Sequence, residues 1–209
     1  GNNAYNFNGF LYSGTNGPLL MEKMQQKGSF LLFAGDNARF AGSVMVSNYD
    51  TPNASENHAL GTSPGQALLP GTVIIPHTLA ENTNGGSITD VWHTTFAALP
   101  FAMVSEEAPY GIWLNHENGI RIAPQEEKAV MHTYGYSPVI TLHWPGGKGA
   151  LATKTFKGEA GEQPRQIAGF HNAYLSFLLP GSQVAMGDLA TETPGWEIAG
   201  ETRVFPNPA

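Results

Sequence analysis

The chain has 209 residues, of which 41% are hydrophobic and only 13% are charged. That apolar content suffices for one sizeable core, which excludes a disordered chain or a simple linker. With 10 basic and 17 acidic residues the net charge is -7. The sequence has no Lys/Arg cluster that could neutralise a phosphate backbone, so nucleic acid is not an expected partner.

Cysteine is absent, which excludes a disulfide framework and a thiolate metal site. No apolar run approaches the roughly 20 residues that span a bilayer, so membrane insertion is not expected. The two ends, about 1–6 and 206–209, are rich in turn residues and resemble linkers. We therefore expect a single domain over 1–209, excised from a longer polypeptide.

The first predicted element is a short helix. Pro18 suits an early helical position, helix-forming residues run from Leu19 to Lys27, and Gly28 can end the helix. Leu20 and Met24 would share a face that packs on a sheet.

From Ser29 onward the chain consists of short runs rich in β-branched and aromatic residues, separated by Gly, Pro and Asn. This spacing predicts an all-β fold, an antiparallel β-sandwich or barrel with one short helix near the N-terminus. The predicted strands are Ser29–Phe33, Gly42–Tyr49, Thr72–Ile75, Ser87–Phe96, Phe101–Val104, Gly111–Leu114, Gly119–Ile122, Ala129–Tyr134, Val139–His143, Leu151–Phe156, Ala173–Leu179 and Thr202–Phe205.

Two hairpins are predicted. The first is Ile112–Ile122, because Asn118-Gly119 supplies the positive φ angles of a tight turn. The second joins Val139–His143 to Leu151–Phe156 through a Gly-rich segment. The long irregular stretch from Asp50 to Pro70 is of the kind that often carries function.

Motifs for catalysis are weak. Gly61–Gly65 has the letters of a nucleophile elbow, but no strand–turn–helix surrounds it and Pro64 lacks the N–H that an oxyanion hole needs. Pro70–His77 is similar to the second metal-binding motif of cupins, yet the upstream His-x-His is missing. A mixed site of His77 with His132 or His143 stays open as an alternative. We expect no catalytic residue, no metal ligand and no cofactor.

Recognition is the remaining chemistry. Five aromatic residues lie beside Gly or Pro, near turns where a ring can stack on a sugar or anchor a protein partner. His116 and Asn118 add polar groups at the tip of the first hairpin. The candidate receptor-binding residues are Tyr110, Tyr134, Tyr136, Trp144, Trp196, His116 and Asn118.

In size and character the chain resembles the spike, or projection domain, of an astrovirus capsid protein. The resemblance implies a β-rich homodimer on the virion surface that attaches to a host cell-surface receptor, a glycan or a protein. It also implies synthesis in the host cytoplasm, which fits the absence of disulfides. The alternatives are a carbohydrate-active or cupin-like metal-binding enzyme, a phage or secreted carbohydrate-binding domain, and a structural coat protein without a ligand.

Overall fold

The structure is a computed structural model that describes residues 4–26, 28, 30–51, 53–57, 59–78, 89–125, 128–145, 149–158, 161–185 and 197–199. The described residues form a predominantly β fold with several helices. The chain divides into two compact units. The first unit comprises Gly1–His116 and Thr141–Leu175, and the second comprises Glu117–Ile140 and Ser176–Ala209.

The helices of the described residues are α1 (Ala4–Leu11), α2 (Asn16–Gln25), a 3-10 helix (Gly35–Ala41) and α3 (Thr89–Ser105). Helix α2 confirms the predicted helix, although it begins earlier and ends earlier than Leu19–Lys27. Helix α1 corrects the expectation of a linker-like end over 1–6, because residues 4–6 are helical. Among the described residues, no helix has the length and apolar character needed to cross a membrane.

The described strands number twelve. They are β1 (Gly42–Ser47), β2 (Gly61–Pro64), β3 (Leu69–Thr78), β4 (Tyr110–Asn115), β5 (Gly119–Gln125), β6 (Lys128–Tyr134), β7 (Val139–His143), β8 (Gly149–Gly158), β9 (Gly161–Phe170), β10 (Tyr174–Leu178), β11 (Gln183–Ala185) and β12 (Glu197–Ala199). Eight of the predicted strands overlap these. Residues 30–33 have no regular structure, and the predicted strand Thr202–Phe205 lies outside the described residues.

The largest sheet has six strands in the order β10-β7-β4-β3-β1-β2. It is mixed, because β3 runs parallel to both β1 and β4, whereas β2 is antiparallel to β1. The expectation of purely antiparallel sheets is therefore wrong, and the described residues form no closed barrel. The physical reason is α3, which separates β3 from β4 along the chain and supplies the crossover that parallel neighbours require.

Helix α3 replaces two predicted strands, Ser87–Phe96 and Phe101–Val104. The sequence of α3 predicts strands because it is rich in β-branched and aromatic residues. It also contains Pro100, which removes a backbone hydrogen bond from a helix. The burial pattern nevertheless has a helical period. The fully buried side chains recur in pairs four residues apart: Ala98 and Leu99, then Ala102 and Met103.

Helix α3 packs closely on one face of β4. A Cβ atom at Gly111 would lie 2.6 Å from Met103 Sδ and 2.7 Å from a Leu99 methyl carbon. Trp113, two residues along the same face, donates its indole N–H to the Thr95 carbonyl at 3.2 Å. Only glycine at position 111 allows this approach, and the contact anchors the crossover to the sheet.

The other two sheets are antiparallel. One has four strands in the order β12-β11-β6-β5, and the other is the β8–β9 pair. Both predicted hairpins are wrong, because β4 and β5 belong to different sheets, as do β7 and β8. The observed hairpins are β5–β6 and β8–β9, whose registers end at Gln125 with Lys128 and at Gly158 with Gly161.

Candidate functional site

The structure buries two of the predicted receptor-binding aromatics. Tyr110 is 1% exposed, and its ring stacks on His143 with the centroids 4.7 Å apart. Burial raises the pKa of the Tyr110 hydroxyl and lowers that of His143. Trp144 is 7% exposed, and its backbone N–H donates to the Pro109 carbonyl at 2.7 Å. These two rings complete the core and do not face a receptor, which corrects the prediction for both residues.

The other predicted residues that the structure describes are more exposed. Tyr134 and Tyr136 are 50% and 87% exposed, His116 is exposed, and Asn118 is half-buried. Trp196 lies outside the described residues. The two exposed tyrosines therefore carry the predicted aromatic surface.

Both tyrosines belong to one short segment, residues 134–138, which we call the tyrosine turn. It begins at Tyr134, the last residue of β6, and ends at Pro138, immediately before β7. It contains no residue with a charged side chain. Its most exposed side chain is the Tyr136 ring.

Asn118 holds the tyrosine turn in place with both ends of its amide. Asn118 Oδ1 accepts from the backbone N–H groups of Tyr136 (3.3 Å) and Ser137 (3.2 Å) and from the Ser137 hydroxyl (3.2 Å). Asn118 Nδ2 donates to the carbonyls of Ser137 (2.6 Å) and Pro138 (3.1 Å). The amide therefore takes the place of the backbone partners that an irregular segment lacks.

Gly135 makes this arrangement possible. Its φ angle is +126°, and a Cβ atom there would lie 2.3 Å from Asn118 Oδ1 and 2.5 Å from the Glu117 carbonyl oxygen. A side chain at position 135 would therefore displace the Asn118 amide. Next to it in the same unit, the Thr133 hydroxyl donates to the Leu179 carbonyl at 2.6 Å and fixes the end of β6.

A second group of polar residues lies in the first unit, where the parallel strands β1, β3 and β4 end. Carboxyl ends of adjacent parallel strands share one edge of a sheet, which is where open sheets of this kind bind ligands. His77 comes from the end of β3, and His116 directly follows β4. Their rings are 5.8 Å apart between centroids, with an interplanar angle of 37°.

His77 occupies an irregular position. The register between β3 and β4 shifts between Pro76 and Thr78, and His77 has a φ angle of +56°. Its side chain is half-buried. Burial lowers the pKa of His77, and the neighbouring charges of Asp36 and Asp50 oppose that shift without reversing it. The imidazole is therefore predominantly neutral at pH 7.

Asp36, the acid with the larger electrostatic effect on this histidine, belongs to a partly buried network. Asp36 forms an ion pair with Arg39 at 2.7 Å and accepts a hydrogen bond from the Tyr49 hydroxyl. Arg39 also donates to the Val46 carbonyl at 3.0 Å, and its guanidinium lies 5.4 Å from the centre of the Tyr49 ring. Burial and the bond to Asp36 raise the pKa of Tyr49. These polar groups are hydrogen-bonded to one another inside the unit.

Sequence reasoning missed the pairing of His77 with His116. It considered His132 and His143 as partners of His77, but His132 lies on β6 in the second unit and His143 stacks on Tyr110. The parallel register of β3 with β4, which pairs Thr78 with Asn115, was the missing signal. The described residues contain no group of three or more His, Cys, Asp or Glu that could hold a metal.

The serine of the elbow-like motif also has a clear position. Ser63 lies within strand β2 and not at a strand-to-helix turn. Its hydroxyl oxygen is buried. A nucleophile must reach its substrate, so Ser63 is unsuited to that role.

Neither protein-family models nor curated proteins nor solved structures give a match to this chain. We therefore infer a function from the geometry of the described residues.

Proposed function

We propose that the chain is a non-enzymatic recognition domain that attaches to a host cell-surface receptor through the tyrosine turn. The observation that carries the proposal is that two exposed tyrosines, one of them 87% exposed, lie on a segment held by five hydrogen bonds of Asn118, four of them to the backbone. A large exposed ring on a fixed backbone contributes contact area at a small entropic cost when it binds.

A glycan is the receptor class that this surface suits best. An aromatic face packs well against the C–H face of a sugar, and a tyrosine hydroxyl adds a donor and an acceptor at the edge of the ring. The turn has no charged side chain that would select a strongly charged partner. A protein receptor that accepts Tyr136 in a pocket is the second candidate, since tyrosines frequently anchor protein interfaces.

The resemblance to an astrovirus capsid spike supports a location for this domain on the surface of a virion. The capsid of such a virion is made in the host cytoplasm. A chain of 209 residues without cysteine is compatible with synthesis in a reducing compartment. Short strands separated by turns also suit a β-sandwich scaffold, which remains part of the proposal.

The proposal includes a homodimer. Large apolar side chains are exposed near the N-terminus, with Phe30 at 82% and Leu32 at 78%. Such residues are typical of a surface that a second copy covers. Light scattering at micromolar concentration should give the mass of a dimer, and the double variant Phe30→Ser, Leu32→Ser should shift it toward a monomer. A monomeric wild type would contradict this part of the proposal.

Binding of the labelled, purified chain to a broad glycan array tests the main proposal. A discrete set of bound glycans is the expected result. Binding to cells that disappears after protease treatment, with an empty array, would assign the receptor to the protein class. The absence of both kinds of binding would overturn the proposed function.

A further inference from the structure

We propose that His77 and His116 form a binding site for a divalent transition-metal ion of the Zn²⁺, Ni²⁺ and Cu²⁺ class. This inference is independent of the tyrosine turn and of receptor attachment. Three features of the first unit support the site: the spacing of the two rings, the irregular backbone at His77, and the carboxylates near it.

The spacing of the rings is close to that of two histidines on one metal ion. With metal–nitrogen bonds of about 2.0–2.1 Å and tetrahedral angles, two ligating imidazoles have centroids about 5 Å apart. The observed separation is 5.8 Å, with the ring planes 37° apart. His116 is exposed, so its side-chain torsions can change to close the remaining distance.

His77 is the less exposed member of the pair. It lies at the register shift between β3 and β4, with a φ angle of +56° that is uncommon for a residue with a side chain. Bulges next to functional sites redirect a side chain in this way. The His77 imidazole is half-buried and lies beside the His116 ring.

Two carboxylates supply negative charge near His77 but leave coordination positions to water. Asp36 and Asp50 both act electrostatically on His77. Asp36 is already bonded to Arg39 and Tyr49, so it contributes negative potential and not a ligand. Because the described residues offer no third His, Asp or Glu to complete the group, two imidazoles and water form the expected coordination shell.

The choice of metal follows from the ligands. Imidazole nitrogen suits Zn²⁺, Ni²⁺ and Cu²⁺, whereas Mg²⁺ and Ca²⁺ prefer oxygen. Binding should therefore follow the order Cu²⁺ above Ni²⁺ and Zn²⁺. Mg²⁺ and Ca²⁺ should have no effect at the same concentrations.

Calorimetric titration of the tag-free chain with ZnCl₂ and NiCl₂ tests the proposal. We expect one ion per chain, and a thermal midpoint that rises by roughly 5–10 °C at a metal concentration of 100 times Kd. His116→Ala, a change at an exposed position, should weaken binding at least ten-fold and leave the metal-free midpoint unchanged. His77→Asn should do the same, since Asn tolerates the positive φ angle.

The matched control is His171→Ala, which removes another exposed histidine of the first unit. It should bind metal as the wild type does. Three results would overturn the proposal: no stoichiometric binding to the wild type, unchanged affinity in His116→Ala, or an equal midpoint shift with MgCl₂.

Discussion

The tyrosine turn and the Asp36–Arg39–Tyr49 network both depend on polar side chains. In the network these side chains bind one another, whereas in the turn a polar side chain supports a backbone that exposes two tyrosine rings. In the network, each polar side chain is a partner of another, and an arginine and a tyrosine ring are buried as a result. In the turn, one amide binds only backbone and a neighbouring hydroxyl, and the tyrosine rings point into solvent.

The difference separates stabilising residues from recognising ones. Polar groups that are hydrogen-bonded to one another inside a unit are costly to remove, and these donors and acceptors are not available to a partner. An exposed ring on a supported backbone contributes little to folding and retains its full surface for binding. A substitution in the network should therefore lower stability, whereas a substitution of an exposed tyrosine should weaken binding and leave stability nearly unchanged.

The largest effect on stability is expected at Arg39. Arg39→Met retains the apolar stem but leaves Asp36 and the Val46 carbonyl without the guanidinium, so we expect a loss of about 2–4 kcal/mol in the free energy of unfolding. Urea denaturation measures the loss. Arg121→Met, at an exposed arginine of β5, should change stability by less than about 0.5 kcal/mol. A loss below about 1 kcal/mol in Arg39→Met would show that the network does not stabilise the unit.

A smaller effect is expected at Asn118. Asn118→Ala removes all five hydrogen bonds to the turn and leaves partly buried backbone groups without their partner, at a cost of about 1–3 kcal/mol. Asn118→Asp keeps the three acceptor contacts of Oδ1 and should cost less. Amide hydrogen exchange at Tyr136 and Ser137 should accelerate in the order wild type, Asp, Ala. Equal exchange in all three proteins would mean that the turn holds its shape without Asn118.

Much of this fold was predictable because strand propensity and turn residues are local signals. The strands β1, β3 to β8 and β10 and the helix α2 were predicted from these signals. Helix α3 was missed because Thr, Val, Phe and Trp favour strands, while the burial pattern that overrides them depends on tertiary packing. The parallel register that pairs His77 with His116 is a contact between distant segments, and no local pattern contains it.

The candidate site was only partly predictable for the same reason. A position beside Gly or Pro marks an aromatic residue as close to a turn, but it does not decide which side of the sheet the ring faces. Tyr136 and Tyr110 both lie beside a glycine, yet Tyr136 is 87% exposed and Tyr110 is 1% exposed. The role of Asn118 depends on the approach of residues 18–20 positions later in the chain.

Acidification should destabilise the first unit. Burial lowers the pKa values of His77 and His143 below the usual 6.5, so the unfolded chain binds more protons than the folded one as the pH falls below that value. Stability is therefore fully present above pH 6.5 and declines as the pH falls through the folded pKa values. Thermal unfolding in metal-free buffer between pH 7.5 and 5 measures the slope. His143→Gln should reduce it, and a slope of the opposite sign would refute the assignment.

The smallest effect on stability is expected at Tyr136. Tyr136→Ala removes a side chain that is 87% exposed, so the free energy of unfolding should change by no more than about 0.5 kcal/mol. Urea denaturation beside Asn118→Ala gives the comparison directly. A loss above about 1 kcal/mol would place the ring in the core of the second unit and not on its surface.

The measurement that tests the central claim most directly is receptor binding by three proteins in parallel, on the glycan array and on cells. These are the wild type, Tyr136→Ala and the control Tyr174→Ala, whose side chain is 63% exposed outside the tyrosine turn. The account predicts that Tyr136→Ala loses binding at unchanged stability, while Tyr174→Ala binds as the wild type does. Equal binding by wild type and Tyr136→Ala would contradict recognition through the tyrosine turn.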